Sequence, residues 1–442
     1  MSASAFEYLT MRCVVQHLAP HIRFNLSLRC EAVKAVDKKV PMKISSMRLG
    51  SLEFKADFAL YKISIVRHYF GSETPEHIIK QNSDGGVSFE VDHLGFRLAP
   101  EQIFPKWNEI LYDGRANHRN QTVGMEADAR TVDTWEQELK KLERDRNMQV
   151  KMPRTSERKE AIAGLERKIK NAKDKLLPYH LKRNGGEPPY THFIRLTINE
   201  RLGNEIITRY EHMDYSKPAH AAMLYLKDKL LKGRRSLHVN YLKIYSAGLI
   251  RISNQMKIKL HKISISSEPS NVLNAIERIL DRDSFPLEAV EVFESGPFEN
   301  DKIQSASLLT ITGNAIDLNL TEITNTRVHV ARHMLPIENV IELVDNWMVR
   351  GRDVGFHYSF TVGINRFEQA DQLLEMLKEA GHFLISMPDE LRETRFNEML
   401  LYRMTETTEL RVFCVMDPDN RNIFNFNLQV EADQYLEIEE NN

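Results

Sequence analysis

The chain has 442 residues with 60 Lys and Arg against 62 Asp and Glu, a formal charge of −2, so it carries no bulk field that would gather nucleic acid or an anionic membrane. Hydrophobic residues at 42% and charged residues at 28% exclude a disordered chain, and the length, about three times the usual 150-residue domain, predicts two or three packing units. Three cysteines, Cys13, Cys30 and Cys414, with no C-x-x-C pair, exclude a disulfide framework and point to a reducing compartment.

The first residues, MSASAFEYLTMRC, lack a basic segment followed by an apolar one, and no run approaches 18 apolar residues. The reading is an intracellular protein, cytoplasmic or nuclear, without a membrane partner. Residues 6–36 place Leu9, Val14, Leu18 and Ile22 at three- to five-residue steps with Pro20 interrupting, which predicts two or three short helices. After Pro41 the period becomes two: Met42, Ile44, Met47, Leu49, Leu52, Phe54, Phe58, Leu60, Ile63 and Ile65 read as the apolar set of a strand meander. In the turn-rich stretch 71–97, Asp84-Gly85-Gly86 reads as a hairpin turn between two short strands.

Between 133 and 177 the character changes. Trp135, Leu139 and Leu142, then Ile162, Leu165, Ile169, Ala172 and Leu176, follow three-four spacing among dense Glu, Lys and Arg. Met152-Pro153 as a break and Thr155-Ser156 as a helix start predict an inserted, charged helical hairpin. The cluster NGGEPPY (184–190) reads as a hinge, 193–198 and about 205–210 as strands. Pro218 opens a helix with Ala219, Ala222, Met223, Leu226 and Leu230 on one face, stopped by Gly233.

From 237 onward strand-like and helix-like stretches alternate: LHVNYLKI, IKLHKISI, the helix NVLNAIERIL, LEAVEVF, the helix NDKIQSA, SLLTI, RVHVA, the helix IENVIELVDNWM, FHYSFTV and the helix FEQADQLLEMLKEA. Strand starts roughly 20 to 30 residues apart suit an irregular leucine-rich-repeat-like array. ELRVFCVM and IFNFNLQV, joined by Asp417-Pro418-Asp419-Asn420, then precede an acidic tail, EIEENN. The fold class is therefore mixed, α+β with α/β character: a helical head at 1–40, a strand-rich domain at 41–235 carrying the hairpin insertion, and a strand-helix array at 236–442.

No phosphate-binding glycine loop, nucleophile elbow or His-Glu-x-x-His motif is present, so neither catalytic residues nor a cofactor are assigned. Cys13, His17 and His21 are spaced by four, but Pro20 takes His21 off the shared face and a fourth ligand is missing, so no metal is assigned. His329 and His333 share that spacing, but on a strand that runs into a loop, so they would not share a face. The basic run KDKLLKGRR (227–235) reads as cations complementing a helix C-terminus rather than as a nucleic-acid site. Trp347 sits on the apolar stripe Ile337, Val340, Ile341, Val344, Met348 and reads as core. Trp107 and Trp135 are the other aromatic anchors, and Trp135, opening the charged hairpin, is a candidate partner contact.

The stretches CVVQHL, RFNLSLR and VDKKVPMKISSMRL, the block RNGGEPPYTHFIRLTI (183–198), AMLYLKDKLLKGRRSLHVNYLKI (222–244) and NWMVRGRDVGFHYSF (346–360) resemble the nematode-expanded F-box C proteins, whose F-box is followed by a long F-box-associated domain. The resemblance covers most of the chain, with Leu18-Ala19-Pro20 matching the L-x-P of a degenerate F-box. Thr10 stands where a proline usually follows the leading leucine, and the tryptophan often found near the end of an F-box is missing. The resemblance implies a non-enzymatic adaptor: a head docking on a Skp-type adaptor of a cullin-RING ubiquitin ligase (SCF) through Leu9, Val15, Leu18, Leu26 and Leu28, and C-terminal domains capturing one protein target. Those five residues equally suit packing against this protein's own strands. An antidote-like protein that sequesters a toxic partner without ubiquitin chemistry, and an enzyme with an unrecognised site, are the competing readings.

Overall fold

The computed structural model describes residues 3–71, 73–98, 109–113, 127–153, 155–244, 249–253, 255–293, 298–313, 319–331, 337–363, 367–379, 383–386, 398–417, 420 and 423–432. Trp107, His333 and the acidic tail lie outside them. The chain is mixed α/β and divides into two compact units, one made of 1–40, 48–235 and 246–256, the other of 41–47, 236–245 and 257–442. The helices between Ala3 and Asp37 thus share a unit with the strand-rich middle of the chain.

In the first unit, α1 (Ala3–His17), α2 (Pro20–Arg29) and α3 (Glu31–Asp37) form the head. Pro20 occupies the first turn of α2, where its missing N–H would have no helical partner in any case. Strand β1 (Met42–Leu49) has its last two residues in this unit. Strands β2 (Glu53–Ala56) and β3 (Ala59–Tyr69) form a hairpin around Asp57-Phe58, with Ala56 opposite Ala59 and Asp57 at φ 48°. That two-residue turn shifts the alternation. Phe58 is exposed at the tip and Leu60 half-buried, while Ala59, Tyr61, Ile63 and Ile65 are buried. The inward assignment of Phe58 and Leu60 is thereby corrected, and its cause is a tight turn without the usual Asn-Gly or Asp-Gly signal.

A second correction concerns Asp84-Gly85-Gly86. These residues terminate helix α4 (Glu76–Ser83) instead of joining two strands. Gly86 N–H donates to the Gln81 carbonyl at 2.8 Å and Gly85 N–H to that of Asn82 at 3.2 Å, the two bonds of a Schellman cap. Gly86, at φ 81°, has no alternative: a Cβ there would lie 2.5 Å from the Ile65 carbonyl oxygen.

Strand β4 (Glu109–Asp113) precedes the charged hairpin, α5 (Ala129–Val150) and α6 (Ser156–Asn184). Asp128 and Thr155 cap the two helices through their side chains, and Gly185 at φ 67° ends the second. The hairpin is not a free arm. Leu177 packs on the buried cluster Tyr69, Ile78 and Tyr190, and Tyr179 meets Phe96 edge-on at 4.9 Å. Strand β5 (Tyr190–Leu202) pairs antiparallel with β3 and with β6 (Glu205–Asp214), which is four residues longer than its apolar pattern predicts. Helix α7 (Ala219–Leu231) follows, burying Ala219, Met223, Leu230 and Leu231.

In the second unit, the first part of β1 lies beside β7 (Leu237–Ile244), and β8 (Leu249–Ser253) belongs with β4 in the first unit. Strand β7 opens a parallel ladder that continues through β9 (Lys259–Ile265), β10 (Ala289–Val292), β11 (Leu309–Ile311), β12 (Arg327–Val330) and β13 (His357–Gly363). The connections include α8 (Pro269–Ile276), α9 (Asp301–Gln304) and α10 (Ile337–Arg350). After α11 (Phe367–Glu379) come β14 (Phe383–Ser386), β15 (Glu398–Arg403), β16 (Thr408–Met416) and β17 (Ile423–Ala432); β17 pairs antiparallel with β13, and the other three follow it outward. Trp347 is fully buried against Tyr358 and Phe356, as its helical stripe predicts.

Candidate protein-docking surfaces

The head has a closed core of its own: Val15, Val36 and Val40 are buried with Tyr8, Met11 and Val33 around them. Helix α2 inverts the usual amphipathic rule. Its inward residues are His21, Arg23, Phe24 and Ser27, while Leu26 and Leu28 are exposed. The polar side chains stay inside because they have partners there. The carboxylate of Asp37 is fully buried and accepts from Arg23 Nε at 2.6 Å, Ser27 Oγ at 2.7 Å and Arg234 Nη2 at 2.7 Å. Arg23 Nη2 also donates to the carbonyls of Asp37 and Val40, and Arg234 Nε to that of Leu230.

Burial would push the Asp37 carboxyl up, but Arg234, Ser27 and Arg23 together hold it below its ordinary value. Lys38 is pushed down to about 8 by burial and by Arg234, and its ammonium donates to the Lys229 and Lys232 carbonyls at the end of α7. Phe24, against Phe54 and Tyr61 and under the Arg234 guanidinium, supplies the apolar contact. The five candidate docking residues therefore separate. Leu9, Leu26 and Leu28 are exposed, Leu18 is half-buried, and Val15 belongs to the head core; the exposed neighbour of Val15 is Val14.

The parallel ladder carries the second surface. In register across the strands stand Lys243, Ser264, Glu291, Thr310, His329, Ser359 and Asn427, an all-polar row. Each of the first six is flanked by residues of opposite facing: Leu242 and Ile244, Ile263 and Ile265, Val290 and Val292, Leu309 and Ile311, Val328 and Val330, Tyr358 and Phe360, all buried. Lys243, Glu291, Thr310, His329 and Ser359 are half-exposed. Tyr241 donates to Glu291 at 2.6 Å, His329 Nδ1 meets Ser359 Oγ at 2.8 Å, and burial holds His329 below its ordinary value. The signal for this row was in the sequence as apolar-polar-apolar triplets, LKI, ISI, VEV, LTI, VHV and YSF, which strand prediction alone does not bring into one line.

Trp135 contacts the neighbouring helix of its own hairpin. Lys175 Nζ lies 3.5 Å from its ring centroid and Tyr179 meets it edge-on at 5.8 Å, which uses the ring as a clamp between α5 and α6. Sequence reasoning missed Glu90. One of its oxygens accepts from the His220 N–H at 2.7 Å and from His220 Nδ1 at 2.6 Å, the other from the Ala219 N–H at 3.0 Å and Tyr215 OH at 2.7 Å. A carboxylate-histidine pair resembles catalytic machinery, but both oxygens of Glu90 cap the N-terminus of α7, where Pro218 offers no side-chain cap.

Among the described residues, no group of three His, Cys, Asp or Glu could hold a metal ion, and no helix is long and apolar enough to cross a membrane. Residues 218–363, from α7 to β13, match a domain family of unknown function, DUF3557. No curated protein and no solved structure matches the chain. The family match spans the polar row from Lys243 to Ser359.

Proposed function

We propose that this chain is a protein-binding adaptor, a substrate receptor of an SCF-type cullin-RING ubiquitin ligase, whose head engages a Skp-type adaptor and whose parallel ladder reads one protein target. The inverted helix α2 carries this reading: Leu26 and Leu28 are exposed although the head closes its own core with Val15, Val36 and Val40. Exposed leucines on a helix that buries an arginine and a serine are unused apolar surface, and an apolar partner surface is what would use them. The polar row of the ladder suits protein recognition by many local contacts, in keeping with the near-zero net charge.

The test is co-expression with a Skp-type adaptor. The wild-type chain is expected to co-purify with it, and the double variant Leu26→Asp, Leu28→Asp to lose it while circular dichroism and melting temperature stay unchanged, because neither side chain is part of the core. A wild-type chain that never forms the complex ends the ligase reading.

A further inference from the structure

Strand β6 is the end strand of its sheet among the described residues. Edge strands are usually protected by charged side chains, lysine above all, by proline, by a bulge or by shortness. This one has ten residues, contains neither Pro nor Lys, and pairs with β5 in unbroken register from Leu202–Glu205 to Phe193–Asp214. Its charges, Glu205, Arg209, Glu211 and Asp214, are of both signs and can be matched by a second copy. Its positions are exposed on both faces except Arg209, which is half-buried. Ile206 is 71% exposed, Tyr210 59%, Ile207 42% and Met213 42%.

We propose that β6 is a homodimer interface, pairing antiparallel with β6 of a second copy about a two-fold axis at Tyr210. Symmetry restricts the choice. Side chains alternate between faces along a strand, so two copies related by an axis perpendicular to the sheet can only place a residue opposite one of the same parity. An axis at Arg209 puts arginine against arginine, an axis at Glu211 puts glutamate against glutamate, and an axis at Thr208 puts Glu205 opposite Glu211 of the other copy.

With the axis at Tyr210 no like charges meet, although Ile206 is placed opposite Asp214. The strands then overlap from Ile206 to Asp214, whereas an axis at Ile207, which also avoids like charges, overlaps only Glu205 to Arg209. Arg209 faces Glu211 of the second copy, and Glu211 its Arg209, forming two opposite-charge pairs from one contact type. Ile207 faces Met213 twice, and Tyr210 faces itself. Arg209 is already ion-paired: its Nη2 donates to Glu200 on β5 and to Asn25 on α2. Glu211 of the second copy would meet the remaining donors of the guanidinium, and the pairing rests on these. The occupant is thus a second copy of this chain, selected by charge and apolar complementarity within a single strand.

Two measurements test the dimer and its register. Light scattering over the micromolar range is expected to show a mass rising toward twice the 51.4-kDa chain, and Glu211→Arg, at an exposed position that leaves the fold intact, to raise the dissociation constant at least tenfold by opposing Arg209. For the register, the exposed Cys13 and Cys30 are first replaced by serine. Tyr210→Cys in that background is expected to give a disulfide-linked dimer on mild oxidation. His212→Cys is expected to give none, because the two copies of position 212 lie about 14 Å apart, four strand rises, beyond disulfide reach. A single-chain mass at every concentration overturns the dimer, and cross-linking through His212→Cys but not Tyr210→Cys overturns the register.

Discussion

Arg234 and Asp37, 197 residues apart in sequence, are joined by a 2.7 Å hydrogen bond at a site where their side chains are 1% and 0% exposed. The pair, with Arg23, holds the head helices to the segment after α7, and so determines which face of α2 is left outward. Removing the single carboxylate strands two guanidinium groups in a dry site, so Asp37→Ala is expected to destabilise the first unit by roughly 3–5 kcal/mol, seen as a lower midpoint in urea. Ser27→Ala, which removes one of several donors to Asp37, should cost only about 1 kcal/mol. Equal losses for the two variants would show that the ion pair is not the fastening.

Acid should loosen the same unit through His192. Burial, then Arg67 and His93, push this imidazole down to about 4, and its Nε2 accepts from Arg67 Nε at 3.3 Å, an arrangement that requires the neutral ring. The unfolded chain, with a histidine near 6.5, binds the proton first. The stabilisation is therefore complete above about 6.5 and is lost as pH falls toward 4, worth at most about 3 kcal/mol. Glu90 acts in the same direction at lower pH: although burial raises it, His220, Tyr215 and Ala219 hold it below its ordinary value, and that contribution disappears as the carboxylate protonates. His192→Gln, which retains an acceptor for Arg67, should flatten the decline of melting temperature between pH 6.5 and 4. An unchanged slope would remove His192 as the cause.

The difference between what could and could not be read from the text has a physical pattern. Long elements with one strong period were legible: the hairpin helices with their break at Met152-Pro153, the helix after Pro218, and the strands of the ladder. Short elements whose identity depends on distant partners were not. Helix α4 was hidden because its Gly85-Gly86 cap is spelled like a hairpin turn, and β15 because no period marks EMLLYR as a strand beside β16. Among docking residues, Val15 was indistinguishable from Val14 by spacing, and only packing assigns one to the core and the other to solvent. The bland reading of the basic run 227–235 was right for Arg234 Nε, which takes a carbonyl at the helix end, but could not foresee that the same guanidinium also meets Asp37. Nor could it foresee that Lys227, read as one of the cations complementing the helix C-terminus, is buried.

Lys227 makes a separate prediction. Its ammonium reaches the Gly50 carbonyl at 3.2 Å and the Arg251 carbonyl at 3.5 Å, and burial alone pushes it down to about 7. Because the folded value is below the unfolded one of about 10.4, the unfolded chain binds the proton first as pH falls. The native state thus loses stability between about 10 and 7. Lys227→Met keeps the aliphatic stem and removes the titration. Subtracting the two stability curves should give a slope across that window, with the variant gaining relative to wild type toward pH 7; parallel curves would mean the amine is charged and satisfied in the folded protein.

The ladder row makes the last prediction, and it separates the two halves of the proposed function. Glu291 is held by Tyr241 at 2.6 Å and His329 by Ser359 at 2.8 Å, so both are presented in fixed orientations without belonging to the apolar core. Glu291→Lys reverses a charge midway along the row, and His329→Ala removes a ring that meets Ser359 and Thr361. If the row reads the target, both variants should fall at least tenfold, about 1.4 kcal/mol, in recovery of target proteins by affinity purification and mass spectrometry, while Skp-type adaptor binding through Leu26 and Leu28 is unchanged. The opposite double variant, Leu26→Asp with Leu28→Asp, should lose the adaptor and retain the target. Loss of both activities in either variant would mean that the head and the ladder do not act as separate surfaces.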